Sequence, residues 1–340
     1  MLMNESTIKT AYFRQIHRKI MLLAVFGGLI LIVGVFGLTH GSYDITLTDI
    51  LRVMTGGGDD TVRLVVADIR LPRIVAAIVC GWGMALSGLG IQSLLKNPLG
   101  SPATLGISQG AAFGAALSVV VMGSQLVSVT VYAFAGAMGA TFIILVLARL
   151  KQLSAEAVIL AGVALSSLFG SATILMQYLA TETELAMVVF WTFGDVARST
   201  WQEIRILGIT VGLMSGFFIC LRWDLNAMAS GEETARGLGV RVERLRMLGM
   251  TAAALMAALV TAFHGVIAFV GLIAPHMARR LAGEEHGLLI PYTAVLGSLL
   301  LLTADTLGRV LAGSGSLPVG VVTSFLGAPM FLYLLVRGYK

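Results

Sequence analysis

Long uncharged apolar runs are the feature that most constrains this chain. The segment from Met21 to Leu38 contains no ionisable side chain, and similar runs recur as far as residue 336. A helix needs about 20 mostly apolar residues to cross a bilayer, whereas membrane barrels use alternating strands of about 10 residues, which are absent here. Only 12% of the residues are charged, while soluble domains carry about 25%. The sequence therefore predicts an all-α integral membrane protein.

The apolar runs predict about ten spans within one transmembrane domain that covers residues 1–340. Residues 1–20 precede the first span, and residues 222–246 form a charged interruption after the sixth. The stretch 98–109 is rich in Gly, Ser and Pro, so we expect a bent entry into the third span. Residues 181–203 are too polar to span and predict a short helix at the membrane surface. The predicted spans are 21–38, 73–95, 105–122, 127–148, 157–179, 204–221, 248–264, 266–277, 288–303 and 317–336.

The positions of Lys and Arg indicate how these spans are oriented. When the predicted spans are threaded alternately through a bilayer, most basic residues, including Lys19, Arg149 and Arg337, fall on one side. Cytoplasmic ends collect an excess of Lys and Arg. We therefore expect a multi-pass protein of the inner (plasma) membrane with both termini in the cytoplasm. The charged stretch 222–246 should face the cytoplasm as well.

The stretch 222–246, RWDLNAMASGEETARGLGVRVERLR, is densely charged between two apolar spans. Ser230 and Glu233 have the spacing of a capping box, and Gly239 suits the position after a helix, so a short helix is predicted over 231–238. Short capped helices at a membrane surface would form a rigid protrusion that could receive force from a soluble partner. An ordinary solvated loop between two spans is an equally open interpretation.

The sequence offers no catalytic centre. No lysine follows glycine in the spacing of a P-loop, so any ATP that drives this protein must be hydrolysed by another chain. No metal site, cofactor or nucleic-acid partner is expected. Cys80 and Cys220 lie in apolar surroundings without a CxxC pattern, which favours packing roles. His264 and Asp305 lie near predicted span ends, and the scarcity of charges deep within spans makes a proton-coupled transporter less attractive.

Three arginines are expected on the outer side, where the positive-inside rule disfavours them. Arg70 and Arg73 bracket RLPR at the mouth of the second span, and Arg309 is expected beyond the outer end of the ninth. Docking of a soluble partner is one interpretation, because a guanidinium group binds a carboxylate through two parallel hydrogen bonds. Anchoring to lipid headgroups or to aspartates of the first outer loop is the other, and the residues alone leave both open.

A series of short motifs runs through most of the chain. They are RLPR at 70–73, SGLGIQSLLKNPL at 87–99, LGISQGAAFGA at 105–115, LAGVALSSLF at 160–169, FWTFG at 190–194, GEETARGLGV at 231–240, GLIAPHMAR at 271–279 and LPVGVVTSFLGAPMFLYLL at 317–335. In this order they resemble the FecCD-type permeases of binding-protein-dependent ABC importers for iron siderophores, haem and vitamin B12. The sequence departs from many of these permeases at Gly100-Ser101, where they have a small residue followed by an acid.

The resemblance implies a type II ABC importer permease like that for vitamin B12, with about ten transmembrane helices per subunit. It also implies a homodimer with a central path, two separate ABC ATPase subunits, and a periplasmic or lipid-anchored binding protein. Spans five and ten and an outer helix over 188–196 would line the path. By the same resemblance the binding protein would dock on Arg70, Arg73 and Arg309. The ATPase would contact Gly231, Glu232, Glu233, Ala235, Arg236, Leu238 and Gly239.

We therefore expect a permease subunit that moves an iron chelate, haem or cobalamin-type ligand from a binding protein to the cytoplasm. Siderophore, haem, cobalamin and oxyanion ligands all remain open. A self-sufficient secondary transporter, with the outer arginines as anchors, is the alternative function. A neighbouring gene for a P-loop ATPase would favour the importer.

Overall fold

The computed structural model describes residues 5–41, 43, 45–57, 59–123, 125–151, 153–311 and 317–336, so Arg337 lies outside the described residues. Helices joined by turns make up the described segments. The α-helices are α1 (Glu5–Thr39), α2 (Leu47–Met54), α3 (Asp60–Arg63), α4 (Leu71–Leu95), α5 (Ile107–Leu117), α6 (Leu126–Arg149), α7 (Ala155–Leu179), α8 (Glu182–Thr192), α9 (Trp201–Cys220), α10 (Arg222–Ala229), α11 (Glu232–Gly237), α12 (Val242–His264), α13 (Val270–Ala282), α14 (His286–Leu311) and α15 (Val319–Val336). Two π-helical segments, Leu64–Arg70 and Ser118–Met122, continue α3 and α5.

Every predicted span has a matching helix, and the all-α membrane fold is confirmed. Within the described residues, seven helices are long and apolar enough to cross a membrane, and Ile107–Met122 and Val319–Tyr333 are shorter apolar helices. The eighth predicted span corresponds to α13, whose 13 residues extend only about 20 Å. Residues 265–269 before α13 are not helical. Such backbone is tolerated at membrane depth where protein encloses it.

Helix α4 lies at the centre of the domain. In its most apolar window 83% of the residues are buried, compared with 11% in α1. A Cβ placed on Gly88 would lie 1.7 Å from the carbonyl oxygen of Gly271 in α13, and one on Gly81 would lie 2.3 Å from that of Gly297 in α14. Glycine at such crossings lets helix backbones approach closely in lipid. The sequence thereby allows α13 and α14 to pack directly on α4.

Helix α1 lies at the periphery and is held near the two ends of the predicted span 21–38. Near the inner end of that span, Lys19 Nζ donates to the Ala282 carbonyl over 2.6 Å, and the Tyr292 hydroxyl donates to the Lys19 carbonyl over 2.5 Å. At the outer end, Arg309 Nη1 donates to the Gly37 carbonyl over 2.9 Å. Most side chains between these points are exposed or half-buried, as expected for a helix that faces lipid.

The two groups of predicted site residues lie at opposite ends of α4. The 25 residues of this helix span about 37 Å, enough to cross the hydrocarbon core. Arg70 and Arg73 lie at its N-terminal end, and Arg246 at the base of the charged stretch bonds to Leu94 at its C-terminal end. The positive-inside orientation assigns the first end to the outer face and the second to the cytoplasmic face.

Candidate functional site

The buried carboxylate of Asp305 in α14 contacts two of the three outer arginines, Arg73 and Arg309. Asp305 has no exposed surface and Arg73 is only 8% exposed. Arg73 Nε donates to the two Asp305 oxygens over 2.9 and 3.1 Å, and its Nη2 makes a 2.8 Å ion-pair contact whose angle is poor for a hydrogen bond. Arg309 Nε lies 3.4 Å from Asp305 Oδ2. Arg309 was expected beyond the predicted span 288–303, and it lies in the last turn of α14, which extends to Leu311.

Backbone carbonyls in the last turn of α1 and just after it complete the outer cluster. Arg70, which is 6% exposed, donates through Nη1 to the Leu38 carbonyl over 2.5 Å and through Nη2 to the Tyr43 carbonyl. Arg309 donates to the carbonyl of the neighbouring Gly37. The guanidinium groups of Arg70 and Arg309 are thus held in fixed positions by carbonyl groups at and just after the C-terminal end of α1. In this conformation the arginines are largely enclosed by their own chain.

The charged stretch 222–246 forms two consecutive short helices, α10 and α11, but its capping differs from the prediction. Ser230 completes the last turn of α10, with φ −74° and ψ −11°, and no side chain caps α11. The capping box predicted for Ser230 and Glu233 is wrong, because an N-cap residue needs extended backbone. Gly231, with φ 130°, takes the N-cap position instead. Gly239, with φ 89°, follows α11 as predicted.

The two helices present an exposed surface. Leu238 is 70% exposed and Trp223 is 67% exposed, and the charged side chains of Glu233 and Arg236 are exposed as well. Ala235 on the opposite side of α11 is completely buried. Aromatic side chains, methionine and arginine are enriched in protein interfaces. We name the surface of Trp223, Glu233, Arg236 and Leu238 the protrusion face.

Glu232 attaches α11 to the membrane domain. Its Oε2 accepts a hydrogen bond from Arg246 Nη2 over 3.0 Å, and its Oε1 accepts one from Arg236 Nη2 over 3.1 Å. Arg236 also donates to Glu243 in α12 over 3.1 Å. Partial burial raises the pKa of Glu232, but the hydrogen bonds from both arginines outweigh it and leave the pKa below its ordinary value. The sequence does not single out Arg246, because it is one of several basic residues in the charged stretch 222–246.

The helices expected to line a path carry exposed aromatic side chains. Tyr178 in α7 is 84% exposed, Phe190 in α8 is 67% exposed, and Phe325 in α15 is 77% exposed. The short outer helix α8 begins at Glu182, earlier than the predicted range 188–196. Its start is fixed by a capping box between Thr181 and Glu184, a signal that the sequence contains.

A glycine-rich junction joins α8 to the break before α13 and to the start of α15. Gly320 N donates to the Gly194 carbonyl over 3.2 Å, and Asp195 N donates to the His264 carbonyl over 2.8 Å. A Cβ on Gly320 would lie 2.2 Å from the Phe193 carbonyl oxygen. Three segments from distant parts of the chain are therefore in direct backbone contact beneath the short outer helix.

The two cysteines differ in their surroundings. Cys80 is buried in α4, with its Sγ 3.5 Å from His264 Nδ1, whereas Cys220 is exposed at the end of α9. The packing role predicted for both therefore suits only Cys80. Within the described part of the chain, no three His, Cys, Asp or Glu residues lie close enough to hold a metal ion.

Comparisons with known proteins agree over nearly the whole chain. The model of the FecCD transport family matches residues 29–337. A Methanocaldococcus jannaschii protein assigned as an ABC transporter permease is 45% identical over 93% of this chain and 95% of that protein. The Fe(3+)-citrate import permease YfmE of Bacillus subtilis is 32% identical over 95% and 96%, and the vitamin B12 import permease BtuC of Vibrio cholerae is 36% identical over 80% and 82%. A solved structure, described as an inward-facing metal-chelate type ABC transporter, aligns with TM-score 0.84 and 32% identity over 94% of this chain and 99% of that one.

Proposed function

The chain belongs to the FecCD transport family of multi-pass ABC importer permeases, and on that premise we propose that it carries a chelated metal, haem or cobalamin-type ligand into the cell. The proposal extends to two separate ATPase subunits and a substrate-binding protein as partners. The observation that carries it is the pair α10 and α11, which is exposed on the protrusion face and bonded to the membrane domain on the other side. A coupling element needs both properties.

The protrusion face is the proposed contact with the ATPase. The chain has no P-loop, so the energy of ATP must arrive through a protein contact. Glu233, Arg236 and Leu238 supply charge and apolar area for that contact, while Ala235 and Glu232 attach α11 to the domain. Gly231 and Gly239 bound the helix in positive-φ conformations that favour glycine, so the segment is a defined element with fixed turns.

The outer arginine cluster is the proposed docking point for the binding protein. Arg73 and Arg309 contact the carboxylate of Asp305, and Arg70 donates to the carbonyls of Leu38 and Tyr43. These contacts hold the guanidinium groups at the outer end of α4. A guanidinium group binds a carboxylate through two parallel hydrogen bonds, so carboxylates of the binding protein are the proposed partners.

A homodimer around a central path is the proposed assembly. Tyr178, Phe190 and Phe325 expose large aromatic surfaces on α7, α8 and α15. A second copy of the chain would cover part of these surfaces and leave a path between the copies. The ligand class follows from relatives named for Fe(3+)-citrate and vitamin B12, and from the metal-chelate type of the matched transporter.

Reconstitution in lipid with the ATPase and binding protein encoded nearby would test the proposal. Ferric citrate, haemin, cyanocobalamin and molybdate are supplied in turn, and both ATP hydrolysis and uptake are measured. We expect one of the three chelates to stimulate hydrolysis and to be taken up only with ATP. If molybdate alone stimulates hydrolysis, the transported ligand is an oxyanion and not a chelate. Uptake without ATP and without a copurifying ATPase would replace the importer with a secondary transporter.

A separate variant tests the proposal that the binding protein docks on Arg70. Arg70→Gln should reduce the stimulation of ATP hydrolysis by loaded binding protein about tenfold, because a charge-assisted contact at the interface is lost. Arg63→Gln removes an exposed arginine from the same outer region and is the matched control. Equal stimulation in Arg70→Gln, Arg63→Gln and the unmodified chain would assign Arg70 to anchoring.

A further inference from the structure

Arg246 is a buried charge where the protrusion meets the membrane domain. Only 1% of its surface is exposed, and its guanidinium group bonds to three separate elements. Nε donates to the Leu94 carbonyl at the end of α4 over 3.1 Å, and Nη1 donates to the Leu153 carbonyl in the turn between α6 and α7. Nη2 donates to Glu232 in α11 over 3.0 Å. One side chain thus connects α11 to the inner ends of two other parts of the domain.

Both carbonyls that accept from Arg246 lie where elements end. Leu94 is in the last turn of α4, where carbonyl groups have no partner within the helix. The helix stops at Lys96, which has left-handed backbone with φ 49°. Leu153 is also left-handed, with φ 53°, and buried. A displacement of the guanidinium group would therefore act on helix ends and turns, which yield more readily than helix interiors.

A second polar link runs from α10 to the same turn of α4. His286 Nδ1 lies 2.7 Å from Asn226 Oδ1 in α10, and His286 Nε2 lies 2.9 Å from Ser93 Oγ. Ser93 and Leu94 are adjacent in the sequence. Both helices of the protrusion therefore reach the last turn of α4 through one buried side chain each.

We propose that Arg246 is a positioning residue that transmits movement of α11 to the end of α4 and to the loop 96–106 that follows it. The proposal rests on the proposed function, in which an ATPase moves the protrusion. Packing alone would not need a charge here, because replacing a buried ion pair by apolar side chains of similar volume is often neutral or stabilising. A guanidinium group differs in that its planar fork fixes three acceptors at once.

The test follows the loop 96–106 while ATP is hydrolysed. Leu99 in this loop is 46% exposed, so Leu99→Cys introduces a thiol whose rate of maleimide labelling reports the loop. Cys220→Ser removes the exposed native thiol, while Cys80 is buried. In the reconstituted complex with binding protein, we expect Mg-ATP to change the labelling rate about tenfold, within the usual range of coupling between sites.

Arg246→Met should remove this ATP-dependent change while ATP hydrolysis continues. Arg246→Lys should keep part of the change, since an ammonium group retains the contact with Glu232 but lacks the planar fork of a guanidinium group. Arg149→Met, at the exposed inner end of α6, is the control and should behave as the unmodified complex. Glu232→Gln combined with Arg246→Met should add little to the single variants, because the two residues belong to one contact.

A full labelling change in Arg246→Met at unmodified hydrolysis rates would overturn the proposal. If Arg246→Met does not assemble, Arg246→Lys is the deciding variant. A complete ATP-dependent labelling change in Arg246→Lys, at the melting temperature of the unmodified complex, would also overturn the proposal. An unmodified complex that hydrolyses ATP on addition of binding protein but shows no labelling change would also overturn it. A complex without stimulated hydrolysis would instead contradict the proposed function.

Discussion

Asp305 shares its carboxylate between two guanidinium groups in a place where the side chain has no exposed surface. Asp305→Leu should lower the free energy of unfolding by about 3 to 5 kcal/mol, because it leaves buried arginines without their counter-charge. Asp305→Asn should cost less, since an amide oxygen still accepts hydrogen bonds. Thermal unfolding in detergent measures both. Asp68→Asn, an exposed change near the same end, is the control, and equal melting temperatures for all three would contradict the pairing.

Glu232 makes the attachment of α11 sensitive to pH. Its pKa is lower in the folded protein than the ordinary value of about 4.3. The stabilisation is therefore fully present above about pH 4.3 and is lost as the pH falls through the lower folded pKa. We expect hydrogen exchange of the α11 amides, corrected for intrinsic rates, to accelerate over that acidic range. Glu232→Gln should remove the dependence, and an unchanged acid profile in this variant would exclude Glu232 as its origin.

The sequence identified the outer arginines but not their partner. Arg70, Arg73 and Arg309 stand out because basic residues are disfavoured on that side, and a family motif contains two of them. Asp305 lies 232 positions from Arg73, so only the packing of α14 on α4 shows that they meet. Arg246 was missed for a related reason. At a span end, a buried arginine and a solvated one have the same sequence signature.

Close crossings of α4 make its glycines sensitive to substitution. Gly88→Ala would direct a Cβ at the Gly271 carbonyl, so α13 must move away. We expect a loss of more than about 2 kcal/mol in stability, comparable to overpacking of a core. Gly139→Ala in α6, where a Cβ meets no atom within 4 Å, should be neutral or slightly stabilising. Thermal unfolding compares the two variants, and similar melting temperatures would count against the crossing.

Helix existence was predictable and helix ends were less so. Apolar length located a helix for every predicted span, because the requirement to cross a bilayer is strong and local. The capping box predicted at Ser230 is wrong because this residue is the C-cap of α10 and has helical backbone. Helix α8 begins earlier than predicted because Thr181 and Glu184 form a capping box, a signal that the sequence contains. Ends depend on competition between adjacent elements, which a single motif does not describe.

Assembly with an ATPase should depend on the exposed leucine of the protrusion face. Leu238→Ser should reduce the amount of ATPase that copurifies about tenfold without lowering the melting temperature, since Leu238 is 70% exposed in the free chain and burying its side chain at the contact would remove apolar surface from water. Leu150→Ser, at a 78% exposed position on the inner end of α6, is the matched control. If the ATPase copurifies in full amount with Leu238→Ser, its contact lies elsewhere on the cytoplasmic side.

At the scale of the whole molecule, the fold class and the family were both available from the sequence. The apolar pattern gives the membrane class, and the ordered motifs give the permease family, which the match over residues 29–337 confirms. The partners have no such signature within one chain. Glu233 and Arg236 are candidates for the ATPase contact through the family resemblance, and the structure adds that both side chains are exposed.

The contacts of α1 with distant residues determine when in biosynthesis this helix can pack against the rest of the domain. Gly37 and Arg309 are 272 positions apart, and Lys19 and Tyr292 are 273 apart. At about 5 to 20 residues per second, a ribosome completes these partners roughly 15 to 50 s after α1 has emerged. Until then α1 lies in lipid without these contacts, attached to the domain by the hydrogen bond that Arg70 donates to the Leu38 carbonyl, and its mean hydropathy of 2.7 permits this. The packing of α1 against α14 is consequently a late event of biosynthesis.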